Sequence, residues 1–382
     1  MTPAARAQAA IDILDQVIAS AREDGPPADA IVTAYFKTRR YAGSKDRRAV
    51  RELVFRAIRH SAEVPAGGRA ALLPVARELF DGSAHGPAPA ADGEPVAEAG
   101  IVPGWLGPEL SPLVELTPAL VERAPLDLRA REPRELLLAE LPDAVATPHS
   151  PWGLRLAPDT RISDHAAYLD GRIEVQDEGS QLVALACAPA AGQRMVDLCA
   201  GAGGKSLALA AAAPDAEIIA CDISLPRLRQ LAPRAERAGA ANITVRLLDP
   251  PREAEGLADL AGSADLVLVD APCSGSGTWR RNPEGRWRLT PERLERLLAT
   301  QRRVLDLAAP LVKPGGHLVY AVCSLLAREG AGQADAFLSR HSAFGAEDTP
   351  IASGRLDGVG RLLTPAQDGT DGFFMARFRV RR

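Results

Sequence analysis

The chain has 382 residues, 46% of them hydrophobic, and a formal net charge of −4 at pH 7, enough for a large core spread over two or three domains. Its opening stretch, MTPAARAQAAIDILDQVIAS, mixes charged and apolar residues at helical spacing and holds no continuous apolar run of the kind a signal peptide or membrane span needs, so a soluble, cytoplasmic protein without a membrane partner is expected. The acidic sum argues against a nucleic-acid partner unless positive charge is gathered locally.

From residue 3 to about 80, apolar positions recur every three or four residues (Ile11, Leu14, Val17, Ile18; then Val50, Leu53, Val54, Ala57, Ile58), which predicts an all-helical domain. Within it, Lys37, Arg39, Arg40, Lys45, Arg47, Arg48, Arg51, Arg56 and Arg59 are opposed only by Asp46 and Glu52. A solvated arginine-rich helix face and an RNA-contacting patch both fit that cluster. Residues 81–100, DGSAHGPAPAADGEPVAEAG, lack large apolar groups and read as a linker. After Pro125 the pattern turns mixed, with helix-like RELLLAEL and strand-like GLRLA and RIEVQ. The expected division is 1–124 helical, including the linker, 125–175 a small α/β subdomain, and 176–382 an α/β domain that carries the chemistry.

In that last part strands are read at MVDLC, EIIACD (217–222), ITVRLL (243–248), DLVLVD and HLVYAVC, with helices between them. Five parallel strands of this kind predict a Rossmann-like sheet of the class I methyltransferase type. A helix starts at Thr290-Pro291-Glu292 and runs toward Ala309, and KPGG then turns the chain into the next strand. The closing FFMARFRV, 373–380, is expected antiparallel at the edge region of the sheet.

The segment MVDLCAGAGGKS, 195–206, ends a strand in a glycine-rich turn before an alanine-leucine helix. A P-loop would need glycine five positions before Gly204, where Cys199 stands, and the dinucleotide spacing also fails with Gly201, Gly203 and Gly204. A turn that brings backbone close to a nucleoside-bearing cofactor fits, through Cys199, Ala200, Gly201, Ala202, Gly203, Gly204 and Lys205. Asp222, closing the second strand, is placed to accept two ribose hydroxyls. Asp249, after the third, is either an adenine contact or an ordinary turn residue.

All five cysteines (Cys187, Cys199, Cys221, Cys273, Cys323) lie from residue 187 onward without the paired spacing of a zinc site, so reduced thiols and no metal are expected. Two of them sit just past strands, in LVLVDAPCS and HLVYAVCS. Asp270, Cys273, Tyr320 and Cys323 should therefore face one crevice at the carboxyl ends of the sheet. Carbon 5 of cytosine is a poor nucleophile until a thiolate adds at carbon 6, and an acid such as Asp270 at nitrogen 3 would stabilise the adduct. Either cysteine alone would read as a small buried hydrophobe. Two at equivalent strand ends, each followed by serine, point to chemistry. Next come Arg280, Arg281, Arg286 and Arg288 interleaved with Trp279 and Trp287, which read either as phosphate contacts and base-stacking rings or as a loop folded back on the core.

These segments resemble the Sun/Nop family of RNA (cytosine-5) methyltransferases. DLCAGAGGKS is similar to its cofactor motif, DAPCSGSG to its fourth motif and YAVCS to its sixth, while VQDEGSQL (175–182) and DGTDGFFMARF (368–378) resemble flanking segments. The helical N-terminal part resembles the NusB-like RNA-binding domain of the bacterial rRNA-modifying members. The resemblance implies S-adenosylmethionine as methyl donor, Cys323 as nucleophile, Cys273 as the thiol assisting product release, and Lys205 and Asp270 orienting or activating the base. It departs at Val322 and Ala202, where many members have Thr and Pro, and at AREG (327–330) where PEEN is common. The resulting expectation is a monomeric enzyme acting on RNA, foremost small-subunit rRNA. A tRNA cytosine-5 methyltransferase and a non-catalytic RNA-binding assembly factor are the alternatives.

Overall fold

A computed structural model describes residues 1–23 and 25–381 and divides into two compact units. The first is Met1–Leu110, Glu115–Glu122 and Thr278–Pro291; the second is Ser111–Val114, Arg123–Gly277 and Glu292–Arg382.

The first unit is helical: α1 (Pro3–Arg22), α2 (Ala28–Lys37), α3 (Ser44–His60) and α4 (Gly68–Ala76). Thr2 starts α1 by accepting a bond from the Ala5 amide at 3.1 Å, with Pro3 in the first turn, an arrangement that satisfies an amide no helix can satisfy for itself. Ile13, Leu14, Val17, Val50, Val54 and Ile58 meet in its core. Trp287 joins that core from the distant 278–291 segment. The segment follows Cys273 closely in the chain but folds as part of the helical unit, where its two tryptophans, large apolar groups, are buried.

The second unit contains two sheets. A four-stranded antiparallel sheet, ordered β2-β3-β1-β4, comprises β1 (Leu126–Ala130), β2 (Val145–Ala146), β3 (Gly153–Leu156) and β4 (Ile173–Val175), with α5 (Arg134–Glu140) against it. The chain then forms α6 (Glu178–Ala186), β5 (Arg194–Asp197), α7 (Gly204–Ala212), β6 (Glu217–Asp222), α8 (Leu225–Arg237), β7 (Ile243–Leu247) and β8 (Ala264–Asp270). After α9 (Pro291–Ala308) come β9 (Val312–Val322), α10 (Ala331–Arg340), β10 (Phe344–Glu347), β11 (Arg355–Asp357), β12 (Gly360–Leu363) and β13 (Phe373–Val380).

The large sheet runs β11-β12-β13-β9-β8-β5-β6-β7, with β10 also on β13. Strands β7, β6, β5, β8 and β9 are parallel, as expected. Leu266, Val267, Leu268 and Val269 of β8 are all buried, the signature of a strand covered on both faces. Two expectations are corrected. Strand β13 pairs antiparallel with β9 but also with β12 and β10, so it lies inside the sheet and not at its edge. KPGG is no turn between elements: it is absorbed into β9 as a bulge, where pairing shifts from Ala264↔Val312 to Leu266↔His317. The strand order reverses at β5, between β6 and β8, and that point opens a crevice at the carboxyl ends.

Candidate active site

Four loops at that crevice carry the side chains of interest. The turn after β5 is left-handed at Gly201 (φ 56°) and Gly203 (φ 82°). Side chains there would also collide, since a Cβ on Gly203 would lie 2.0 Å from Leu231 and one on Gly201 would lie 2.5 Å from the Arg227 guanidinium. Asp222, at the end of β6, accepts the Gly201 amide through Oδ2 and the Ser224 amide through Oδ1, both at 2.7 Å. The loop is further tied by the Ala200 amide to the Cys221 carbonyl at 2.9 Å and by Arg234 Nη1 to the Ala202 carbonyl. Gln176 Nε2 donates to the Gly204 carbonyl at 3.4 Å.

The turn thus offers backbone at close range, and Asp222 keeps lone pairs for further donors. Burial pushes the Cys199 thiol well up, which leaves it an inert part of the loop. Asp249 is exposed and ion-paired with Arg252 on the surface.

Two further residues here carry no signal in the sequence. Arg227 packs against Gly201, and its position five residues after Asp222 gave no periodic signal. Asp197, the last residue of β5, is fully buried; Ser206 Oγ donates to its Oδ2 at 2.6 Å, while Oδ1 has no partner among the described residues. Burial, with the charges of Asp270 and Asp222 adding and the Ser206 bond opposing, raises this carboxyl from 3.8 to about 7. The folded state therefore holds a proton that the unfolded chain releases. That contribution to stability is complete below about pH 4 and is lost as pH rises through 7, and a rise of this size corresponds to up to about 4 kcal/mol. Thermal midpoints of Asp197→Asn should accordingly depend less on pH between 4 and 8 than those of the parent. Parallel curves for the two proteins would refute the assignment.

Strands β8 and β9 bring the predicted reacting groups together. Lys205, almost buried, donates to Asp270 Oδ2 at 2.6 Å and sits 5.2 Å from the Phe373 ring centroid. Burial disfavours its charge, but the Asp270 carboxylate and its hydrogen bond outweigh this and hold the lysine above its ordinary value. Asp270 pairs in register with Ala321, two residues before Cys323. The sulfurs of Cys273 and Cys323 are 3.4 Å apart. The Cys323 thiol and then burial raise Cys273 well above the usual thiol range, so Cys273 is held as a thiol.

The arginines fare differently. Arg286 is 1% exposed and its guanidinium donates to five backbone carbonyls, those of Ile58, Arg59, Gly100, Ile101 and Pro283. Arg288 bonds to the carbonyls of Gly25 and Pro26. Arg280 is buried and Arg281 half-buried. Arg286 and Arg288 therefore hold the helical unit together, and the expectation that they contact phosphate is corrected. Arg39 stacks on the Tyr35 ring at 3.6 Å, whereas Lys37 and Arg40 are exposed.

A family model described as 16S rRNA methyltransferase RsmB/F matches residues 184–379. Ribosomal RNA small subunit methyltransferase B of Pasteurella multocida is 32% identical over 275 residues, covering 69% of this chain and 61% of that protein. Its namesake in Xylella fastidiosa is 36% identical over 240 residues, covering 62% and 54%. The chain spans 53% to 61% of the length of the curated relatives it matches first. Among solved structures, PH0851 superposes with a TM-score of 0.74 at 22% identity, covering 99% of both chains. A methyltransferase homologue from Pyrococcus horikoshii gives 0.59 at 25% identity, covering 69% and 88%.

Proposed function

Because this chain belongs to the 16S rRNA methyltransferase RsmB/F family, we propose that it methylates carbon 5 of a cytosine in small-subunit rRNA through a covalent cysteine adduct. The observation that carries this reading is the pair of thiols 3.4 Å apart next to a lysine-carboxylate pair at the ends of β8 and β9. The part of the crevice beside β5 and β6 fits S-adenosylmethionine: Asp222 would hold the ribose hydroxyls, the Gly201–Gly204 turn would lie along the rest of the molecule, and Asp197 Oδ1, unpartnered among the described residues, offers a buried acceptor. When bound, this cofactor supplies an electrophilic methyl group on a sulfonium.

The protein's own residues do the remainder. Cys323 adds to carbon 6, which makes carbon 5 an enamine carbon able to take a methyl group. The Lys205–Asp270 pair supplies the proton that the ring nitrogen takes up as charge develops there, the ammonium giving it and the carboxyl passing it on. Once a base, here solvent water, has taken the carbon 5 proton, the electron pair of that bond restores the ring double bond, the Cys323–carbon 6 bond breaks with Cys323 leaving as thiolate, and the ring nitrogen returns its proton to the Lys205–Asp270 pair. Cys273, held as a thiol against Cys323, assists that release.

Incubation with methyl-labelled S-adenosylmethionine and small-subunit rRNA, followed by nucleoside analysis, tests the reading. Label is expected in 5-methylcytidine; label in any other nucleoside, or none, would refute it.

RNA holding falls to the exposed cations of the helical unit. Lys37, Arg40, Lys45 and Arg48 are all exposed. Replacing Lys37, Arg40 and Arg48 by Gln should lower the slope of log affinity against log salt by about 2 to 3, at roughly 0.7 to 0.9 per phosphate contact. An unchanged slope would make this a solvated face.

A further inference from the structure

Beneath the two thiols lies a buried acid that the chemistry above does not use. Glu329, six residues past Cys323, is 0% exposed; it is the acid kept where AREG replaces the family's PEEN. Its Oε1 accepts from the Ser274 amide at 2.9 Å and from Gln301 Nε2 at 2.8 Å, and its Oε2 accepts from the hydroxyls of both Ser274 and Ser324. Each of those serines directly follows one of the cysteines. One carboxylate therefore grips both cysteine loops.

The grip is reinforced on every side. Ser276 Oγ lies 3.1 Å from the hydroxyls of both Ser274 and Ser324 and accepts the Leu325 amide at 2.8 Å. Gln301 Nε2, reaching in from α9, also donates to the Pro272 carbonyl at 3.0 Å, and Tyr320 Oη donates to the Glu329 carbonyl at 2.7 Å. Apolar packing could join two loops without the cost of burying a carboxylate. Hydrogen bonds from both loops to one rigid group fix direction as well as distance, which matters where two sulfurs must stay within reach of the same carbon atom.

We propose that Glu329 is a positioning residue that holds Cys273 and Cys323 face to face. The catalytic consequence rests on the function proposed above, but the juxtaposition of the thiols does not. Misplacing reacting groups by about 1 Å can cost on the order of a hundredfold in rate. Glu329→Gln, which keeps the shape but offers one acceptor oxygen instead of two, should lower kcat about tenfold, and Glu329→Ala by about a hundredfold. KM for S-adenosylmethionine should stay unchanged in both, a split that general loosening of the domain would not give.

A second readout needs no RNA. Diamide, a diazene, takes two hydrogens from two neighbouring thiols and becomes a hydrazine while the sulfurs join as a disulfide. In the full-length protein, Cys273–Cys323 crosslinking followed by mass spectrometry should be about tenfold slower or more in Glu329→Ala. Should that variant not fold, Ser274→Ala and Ser324→Ala, each removing one donor, should show the same two effects in smaller degree. Parental turnover and parental crosslinking in the variants would overturn the proposal. Glu329-dependent crosslinking in a protein that methylates no cytosine would leave the clamp standing and remove the proposed reaction.

Discussion

Cys323→Ala is expected to reduce methyl transfer to background and to form no covalent complex with RNA, while Cys273→Ala should accumulate such a complex. The two thiols lie 3.4 Å apart, yet their surroundings differ. Cys273 is raised by its neighbour thiol, by burial and by the charge of Glu329. The thiolate is the nucleophile, so a sulfur held as a thiol is poorly suited to attack, and the proposed role of nucleophile goes to Cys323. Without Cys323 no enamine forms. Without Cys273, attack and methylation proceed and release stalls, so a denaturant-stable band that depends on Cys323 should appear on a gel. The reverse pattern, a complex in Cys323→Ala and none in Cys273→Ala, would exchange the two roles.

Arg286→Ala should destabilise the helical unit by about 3 to 5 kcal/mol. A large buried side chain is removed, and backbone carbonyls that it satisfied are left without a donor. The site is already costly, since burial, with the nearby charge of Arg59, pulls this guanidinium down to about 10. Arg286→Met would keep most of the volume without the donors and should fall between the two. Denaturant unfolding followed by tryptophan fluorescence reports this unit, which contains Trp105, Trp279 and Trp287. The salt slope of RNA binding should not change. A stability loss under about 1 kcal/mol together with a flatter slope would return Arg286 to a phosphate-contacting role.

The parallel strands were legible in the sequence because their apolar runs are uninterrupted and the turns that follow carry glycine or acid. Asp270, Cys273 and Cys323 could be placed together for the same reason: a parallel strand has one carboxyl end, and all such ends share a face. The Arg–Trp segment has two readings in the sequence, phosphate contact and packing on a core, and its adjacency to Cys273 in the chain does not decide between them. Its own composition held the better clue, two tryptophans in ten residues, which favour a core. The KPGG bulge and the interior place of β13 depend on pairing between distant segments, and no local pattern reports that. Glu329 and Asp197 stayed invisible as partners for a similar reason. A buried carboxylate is recognised by the donors gathered around it, here from Ser274, Ser324 and Gln301, and those converge only on folding.

The central claim, that Cys323 adds to a cytosine during methylation, is tested most directly with RNA carrying 5-fluorocytosine at the methylated position. Fluorine in place of the carbon 5 proton blocks the release step, so the adduct formed after methyl transfer persists. Incubation with S-adenosylmethionine, protease digestion and mass spectrometry should then find the nucleotide on the peptide that contains Cys323. A nucleotide on Cys273, or no covalent complex at all, would contradict the account.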